Sequence, residues 1–199
     1  MKKRNYYQKM FNVCTLLFIL SLLSAIGFIL TNIGMNALQS ITYLSFFYQL
    51  VSMVYTISLF VTLISTFSFL VLIYYETNSR AKEDSLKNLW QSIWQTFSMR
   101  RFLVQSEHSE TVTTIEKAKV TRYNPVNKYF NQAVRQAIVD IRENKVTLLI
   151  HIPKTQQATR ILKEMETLIS EEISSRNSDY YFSPPERHGK WLYFIGTKR

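Results

Sequence analysis

The three histidines are the side chains best suited to general acid–base chemistry or metal binding, and their contexts have nothing in common. His108 lies in a polar segment, His151 in an apolar one and His188 beside a glycine. The single cysteine, Cys14, lies in an apolar run and has no second cysteine for a disulfide or a zinc site. The sequence also lacks the short motifs of phosphate-binding loops, zinc proteases and serine hydrolases. We therefore expect no catalytic residue, no metal site, no cofactor and no enzymatic activity.

Three basic residues recur at seven-residue intervals along a predicted helix, at Lys128, Arg135 and Arg142. Seven residues make nearly two helical turns, so the three cations are predicted to form one stripe. Such a stripe can contact nucleic-acid phosphates or anionic lipid headgroups. The alternative is an ordinary solvent-facing row of charges.

A second candidate anion site lies where a predicted strand passes into a helix, at Lys154 and Thr155. Free backbone N–H groups at a helix N-terminus attract anions, although an ordinary capped helix explains the same residues. Lys190, in the tip of a predicted hairpin, would add a cation if the tip folds over the same edge. The complete set of candidate anion or nucleic-acid contacts is Lys128, Arg135, Arg142, Lys154, Thr155 and Lys190.

An amphipathic helix is predicted between residues 84 and 102, because its apolar residues recur at helical spacing. Trp90 and Trp94 lie one turn apart on the apolar face, and Arg100 and Arg101 follow near the end of the helix. Tryptophans beside cations are typical of a helix at a membrane surface, so these four residues are candidate membrane-interface contacts. The alternative is that the apolar face packs on the domain that follows.

The N-terminal third of the chain has the composition of a membrane segment. All 66 residues from Met10 to Tyr75 are uncharged, whereas soluble domains carry charges throughout. The apolar runs at 11–30 and 51–75 are each long enough to span a bilayer as a helix. We therefore predict two transmembrane helices joined by a loop at 31–50.

Basic residues flank the two predicted spans, and the loop between them has no charge. The flanking cations are Lys2, Lys3, Arg4 and Lys9 before the first span and Arg80, Lys82 and Lys87 after the second. The positive-inside rule then places both termini in the cytoplasm and the loop outside. The predicted location is the plasma (inner) membrane, with the short basic N-terminus 1–10 on the cytoplasmic side.

The remainder of the chain is predicted to form a juxtamembrane connector, 76–105, and a cytosolic α/β domain, 106–199. The predicted order is β-α-β-α-β-β, with a strand in 112–123, a helix over 124–144, a strand at 146–152, a helix over 155–173 and a hairpin within 180–195. Strands joined through helices favour parallel pairing, and the closing hairpin is antiparallel, so a mixed sheet is expected. The fold class is therefore a two-helix transmembrane hairpin followed by a small mixed-sheet α/β domain.

Three functions are compatible with this layout. The first is a non-enzymatic adaptor within a larger membrane assembly, whose partners are the lipid bilayer and other proteins, including further copies of the chain. The second is an accessory of a conjugation- or secretion-type DNA-transfer apparatus that contacts nucleic acid. The third is a membrane-anchored sensor of an anionic small ligand. The abundance of Lys, Asn, Ile, Ser and Thr suggests a bacterial source with an AT-rich genome.

Overall fold

A computed structural model describes residues 4–107, 112–113, 119–120 and 124–199. The chain divides into two compact units, one formed by residues 5–79 and the other by residues 80–199 together with Arg4. Helix α1 (Tyr6–Leu38) and most of helix α2 (Ser45–Glu83) form the first unit, and a short 3₁₀ turn (Thr42–Leu44) joins them. The last residues of α2, from Arg80 onward, belong to the second unit.

Helices α1 and α2 are both long and apolar enough to cross a membrane. They extend beyond the apolar runs from which they were predicted, to 33 and 39 residues. Two pairs of hydroxyl side chains join them: Ser21 and Thr66 lie 2.7 Å apart, and Thr62 donates to Ser24 at 2.9 Å. Hydroxyl pairs of this kind satisfy polar groups that would otherwise face an apolar surrounding.

The second unit contains a sheet, several helices and a separate pair of very short strands. Its elements are α3 (Leu86–Leu103), β1 (Val112–Thr113), β2 (Lys119–Val120), α4 (Pro125–Val134), β3 (Ile138–Arg142), β4 (Lys145–His151), α5 (Gln156–Glu164), α6 (Glu166–Arg176), β5 (Tyr180–Phe182), β6 (Glu186–His188) and β7 (Trp191–Lys198). Strands β1 and β2 pair only with each other, whereas β3 to β7 form one five-stranded sheet.

The five-stranded sheet is antiparallel throughout, so the predicted mixed sheet is wrong. Its order is β3-β4-β7-β5, and β6 also pairs with β7. Strands β3 and β4 form a direct hairpin, and the chain between β4 and β5 leads to a strand that runs antiparallel to β7. A parallel pair requires a helical crossover between its two strands. Every pair of neighbouring strands in this sheet is antiparallel. None of the described pairs is therefore the parallel pair that such a crossover would join.

The helix predicted over 124–144 is only half as long as expected. Asn124 caps α4, as predicted, but the helix ends at Val134 and the chain then enters β3. The apolar residues of 134–141 fit a helical period, yet four successive positions of β3 are buried, as in a strand covered on both sides. Asn144, predicted to end a helix, lies instead in the turn between β3 and β4.

Two other predicted segments are subdivided in the structure. The helix predicted over 155–173 is broken at Met165 into α5 and α6, and the predicted hairpin tip contains the additional strand β6. The strand predicted within 112–123 is present only as β1 and β2. Residues 114–118 and 121–123, and the linker histidine His108, lie outside the described residues. The predicted central strand is present as β4, which is buried on both faces.

The main hydrophobic core lies between one face of the sheet and its helices. Its largest fully buried side chains include Phe130, Val134, Leu148, Ile150, Ile169, Ile173 and Phe194, with Met99 and Leu103 from α3. The alternate residues of the sheet form a second, smaller cluster of Leu149, Tyr193 and Ile195 with Trp191. Alternation along β4 and β7 therefore supplies apolar side chains to both faces.

Side chains of α3, instead of another strand, close the outer edge of β3. The Ser92 hydroxyl accepts a hydrogen bond from the Ile141 N–H at 2.8 Å, and the Thr96 hydroxyl accepts one from the Val139 N–H at 3.0 Å. Four helical residues advance the chain by about 6 Å and two strand residues by about 6.6 Å. Hydroxyls one helical turn apart therefore match alternate residues of the strand.

The same edge is capped at both ends by charged side chains. Arg100, one turn beyond Thr96, donates from Nε to the Ala137 carbonyl oxygen at 2.8 Å. At the other end, the Asp84 carboxylate accepts a hydrogen bond from the Glu143 N–H at 3.2 Å. An open strand edge invites pairing with another chain, and a covering helix prevents it.

Removing the two hydroxyls is expected to open this edge. Ser92→Ala with Thr96→Val leaves the Val139 and Ile141 N–H groups buried without acceptors, which costs about 1–3 kcal/mol for each group. Amide hydrogen exchange of the full chain in mild detergent should become about ten-fold faster at these two residues. Thr167→Val, on an exposed position of α6, is the matched control and should change neither rate. Unchanged exchange at Val139 and Ile141 in the double variant would contradict the role given to α3.

Candidate functional site

Helix α3 turns four of its large apolar side chains outward and the hydroxyls of Ser92 and Thr96 toward the sheet. Four large apolar side chains of this helix are exposed, namely Leu86, Trp90, Trp94 and Phe97. Trp90 and Trp94 keep 68% and 69% of their surface open, whereas Ser92 and Thr96 are completely buried. The alternative that the apolar face packs on the domain is therefore wrong, because the polar face does so. We call the exposed side, with these four residues, the tryptophan face.

Two of the cations of α3 lie on the same side of the helix as the tryptophans. At about 100° per residue, Arg101 falls between Trp90 and Trp94 and Lys87 lies about 20° beyond Trp94, and both cations are exposed. Arg100, also a predicted interface contact, has a different role, because it donates to the backbone carbonyl of Ala137, the residue before β3. Helix α3 contains no acidic residue. The structure therefore brings together three of the four predicted membrane contacts, Trp90, Trp94 and Arg101.

The predicted cationic stripe of Lys128, Arg135 and Arg142 does not form. Lys128 is exposed on α4, Arg135 is the C-terminal cap of that helix, and Arg142 lies at the end of β3. The guanidinium of Arg142 lies 3.8 Å from the Glu83 carboxylate and 3.7 Å from that of Asp140. The stripe requires an unbroken helix to residue 142, and α4 ends eight residues earlier.

The structure brings together the second predicted anion site, which consists of Lys154, Thr155 and Lys190. The Ile152 N–H donates to the Lys190 carbonyl oxygen at 2.9 Å, so the hairpin tip lies beside the end of β4. Lys154 follows within two residues of that contact, and its side chain is exposed. Thr155 caps α5, because its hydroxyl accepts from the Ala158 N–H at 3.3 Å. The structure therefore gives Thr155 a capping role and places Lys154 and Lys190 at one edge.

These lysines belong to a basic cluster, Arg4, Lys154 and Lys190, around an edge-to-face pair of aromatic rings. The His151 ring meets the Trp191 ring edge-on at 5.1 Å, and the Arg4 guanidinium carbon lies 4.8 Å from the Trp191 ring centroid. Burial lowers the pKa of His151, the charges of Lys190, Lys154 and Arg4 lower it further, and a hydrogen bond with the neighbouring backbone acts in the opposite direction. His151 is therefore held mainly in its neutral form at pH 7.

Sequence reasoning used Arg80 only as a marker of topology, and the structure shows it as the central buried charge of the second unit. Its guanidinium donates to the Ile141 carbonyl oxygen at 2.7 Å, to Asp84 at 3.0 Å and to Asp140. Arg80 is fully buried, and Asp140 is 3% exposed. A signal existed in the sequence: Asp140 is a lone acid between apolar residues of a buried segment, and such a charge requires a partner.

Asp84, like Asp140, accepts a hydrogen bond from Arg80, and its contacts link three elements. Burial by itself raises the pKa of the Asp84 carboxyl, but hydrogen bonds from Asn88, the Ser85 backbone and Arg80, together with the charge of Arg80, lower the pKa below its ordinary value. The Asn88 amide donates to this carboxylate at 2.7 Å, and the Glu143 backbone donates to the same oxygen. Asp84 is therefore ionised at neutral pH and joins the end of α2, the start of α3 and the β3–β4 turn.

A polar cleft of about 280 Å³ lies between α3 and the connection from α6 to β5. Gln95 and Asn177 exchange two side-chain hydrogen bonds at 3.1 and 2.9 Å along its wall. Arg176 donates to the Ser98 hydroxyl at 2.6 Å and pairs with Glu172. These groups bond to one another, so they fasten α6 to α3. The exposed Gln91 and Lys87 line the outer part of the cleft.

Among residues 4–107, 112–113, 119–120 and 124–199, no group of three or more His, Cys, Asp or Glu side chains is placed to hold a metal ion. No protein-family model, curated protein or solved structure matches the chain. The features that remain for a functional argument are the tryptophan face, the basic cluster and the buried Arg80.

Loss of Arg80 is expected to destabilise the second unit strongly. Arg80→Met removes the hydrogen bond that Arg80 donates to the buried Asp140 carboxylate, at a cost of about 3–5 kcal/mol. Urea unfolding of the full chain in mild detergent, followed by tryptophan fluorescence, measures this loss, and adding Asp140→Asn should restore part of it. Arg160→Met, which removes an exposed pair with Glu164, is the control and should cost less than about 1 kcal/mol. Equal effects of the two single variants would refute the central role of Arg80.

Proposed function

We propose that this chain is a non-enzymatic membrane protein with two spans, at 11–30 and 51–75, that presents its cytosolic α/β domain as an adaptor within a larger membrane assembly. The length and apolar character of α1 and α2 support the two spans. The basic flanks and the uncharged loop support a plasma-membrane protein with both termini in the cytoplasm. Its partners are the bilayer and neighbouring proteins, including further copies of the chain.

The burial of Arg80 is the observation that carries the adaptor proposal. Arg80 follows the end of the uncharged segment, Tyr75, by only five residues, yet it already belongs to the core of the second unit. A long polar tether would allow a domain to range through the cytosol. A domain that starts to fold this close to a span is kept at the membrane, where it can hold a partner in place.

A second candidate function, contact with nucleic acid in a DNA-transfer apparatus, draws support from the basic cluster alone. Arg4, Lys154 and Lys190 converge near Trp191, and a convergent set of cations suits a phosphate backbone. Lys128, Arg135 and Arg142 are half of the six predicted contacts, and they do not form the predicted stripe. For this reason we place the adaptor function first. The same cluster fits the third function, a sensor of an anionic small ligand, with no further observation in its favour.

Cysteine labelling of intact cells tests the topology. In a Cys14→Ser background, a membrane-impermeant maleimide should label Ser40→Cys, between the two spans, and should not label Arg199→Cys. Both positions are exposed, so access to the reagent depends on the side of the membrane alone. Permeabilised cells are the control, in which Arg199→Cys should become reactive. Labelling of Arg199→Cys in intact cells would exclude the proposed orientation.

Photo-crosslinking in cells separates the adaptor from the nucleic-acid function. A diazirine-bearing residue replaces Gln91, at the outer cleft, or Lys190, in the basic cluster. The adaptor function predicts a discrete protein adduct that survives nuclease, because a stable partner occupies one surface of the domain. A probe at the exposed Thr167 of α6 is the matched control for random encounters. A nuclease-sensitive adduct at Lys190, without any protein adduct beyond the control, would replace the adaptor by the nucleic-acid function.

A further inference from the structure

Trp90 and Trp94, at the centre of the tryptophan face of α3, are largely exposed. An aromatic side chain offers about 150–250 Å² of surface, so the two indoles leave roughly 300 Å² open. The largest apolar patch on a typical soluble monomer measures about 300–600 Å² and is often a binding surface. The opposite face of the same helix is fixed to β3 by Ser92 and Thr96, so the tryptophans project from a held element.

The charges of α3 indicate what covers this face. Arg101 lies between the two tryptophans and Lys87 lies at the edge of the tryptophan face, and the helix carries no acid to neutralise them. A convex face of large apolar rings between cations is complementary to an anionic lipid surface, in which rings enter the interface and cations meet headgroups. Tryptophan in particular favours the interfacial region, because its ring is apolar and its N–H needs a polar partner.

A second copy of the chain fits the same face poorly. Two-fold pairing of α3 with itself would set Lys87 and Arg101 against the same cations of the other copy, without an acid on either helix. Like charges brought together at an interface oppose association. Charge complementarity therefore selects the lipid surface over a homodimer.

We propose that the tryptophan face of α3 lies in the headgroup region of the anionic inner leaflet and is a second, peripheral membrane contact of the cytosolic domain. This inference rests on the proposed function, because it requires the domain to be on the cytoplasmic side. Only Asp84 and Ser85 separate α3 from the last residue of α2, a helix apolar enough to cross a membrane. The connection along the sequence is therefore short.

Tryptophan fluorescence of the full chain in liposomes tests the contact. Trp191→Phe leaves Trp90 and Trp94 as the emitting residues, and the vesicles contain phosphatidylcholine and phosphatidylglycerol. Phospholipids brominated near the headgroup should quench more than half of the emission, and aqueous acrylamide should quench little. Adding Lys87→Glu with Arg101→Glu should at least halve the quenching by brominated lipid, because the cations then become acids facing an anionic surface. Lys163→Glu, an exposed position on α5, is the control and should leave the quenching unchanged.

Three results would overturn the inference or distinguish its failure from a failure of the proposed function. Strong acrylamide quenching without lipid quenching places the face in water and overturns it. Protection from both quenchers, with disulfide-linked dimers of Trp94→Cys in a Cys14→Ser background, assigns the face to a second copy and also overturns it. Alkaline carbonate extraction distinguishes the two proposals: a chain released from the vesicles refutes the spans. A chain retained with its tryptophans in water refutes only the contact made by α3.

Discussion

The backbone edge of β3 is the constraint on which the second unit depends. A buried strand needs a partner for every N–H and C=O group, and no described strand pairs with the outer side of β3. Ser92 and Thr96 supply acceptors, Arg80 donates to a carbonyl oxygen of the same strand, and Arg100 donates to the carbonyl oxygen of Ala137, just before it. These contacts join the end of α2, all of α3 and the sheet into one folded body.

The requirement at β3 also explains why the amphipathic helix α3 is oriented against the usual pattern. Most surface helices bury their apolar stripe and expose their polar one. In α3 the hydroxyls are needed at the strand edge, and Met99, Phe102 and Leu103 reach the main core from its second half. The tryptophans are left on the outside as a consequence. An exposed apolar surface is thus produced by the polar contacts on the other side of the helix.

Arg80 belongs to the apolar helix α2 along the chain and to the buried part of the second unit in the fold. A buried guanidinium is stable only when it is fully bonded, and Asp84, Asp140 and a carbonyl oxygen provide that bonding. The pairing of Arg80 with Asp140 makes the last residues of α2 part of the second unit. This unit therefore begins five residues after Tyr75, where the uncharged segment ends.

The sequence by itself determined the features that depend on composition and local order. The uncharged stretch from Met10 to Tyr75 predicted two long apolar helices, and the β-branched run of β4 predicted a strand buried on both faces, because neither depends on distant partners. Only the tertiary structure decided between helix and strand at Ile138 and Ile141, since their spacing fits both periods and pairing with β4 selects one. It also decided which face of α3 is covered. A buried serine or threonine hydroxyl stabilises a contact only where a backbone N–H lies within hydrogen-bond distance. Here that N–H belongs to the outer edge of β3, whose position is set by the fold of the whole domain.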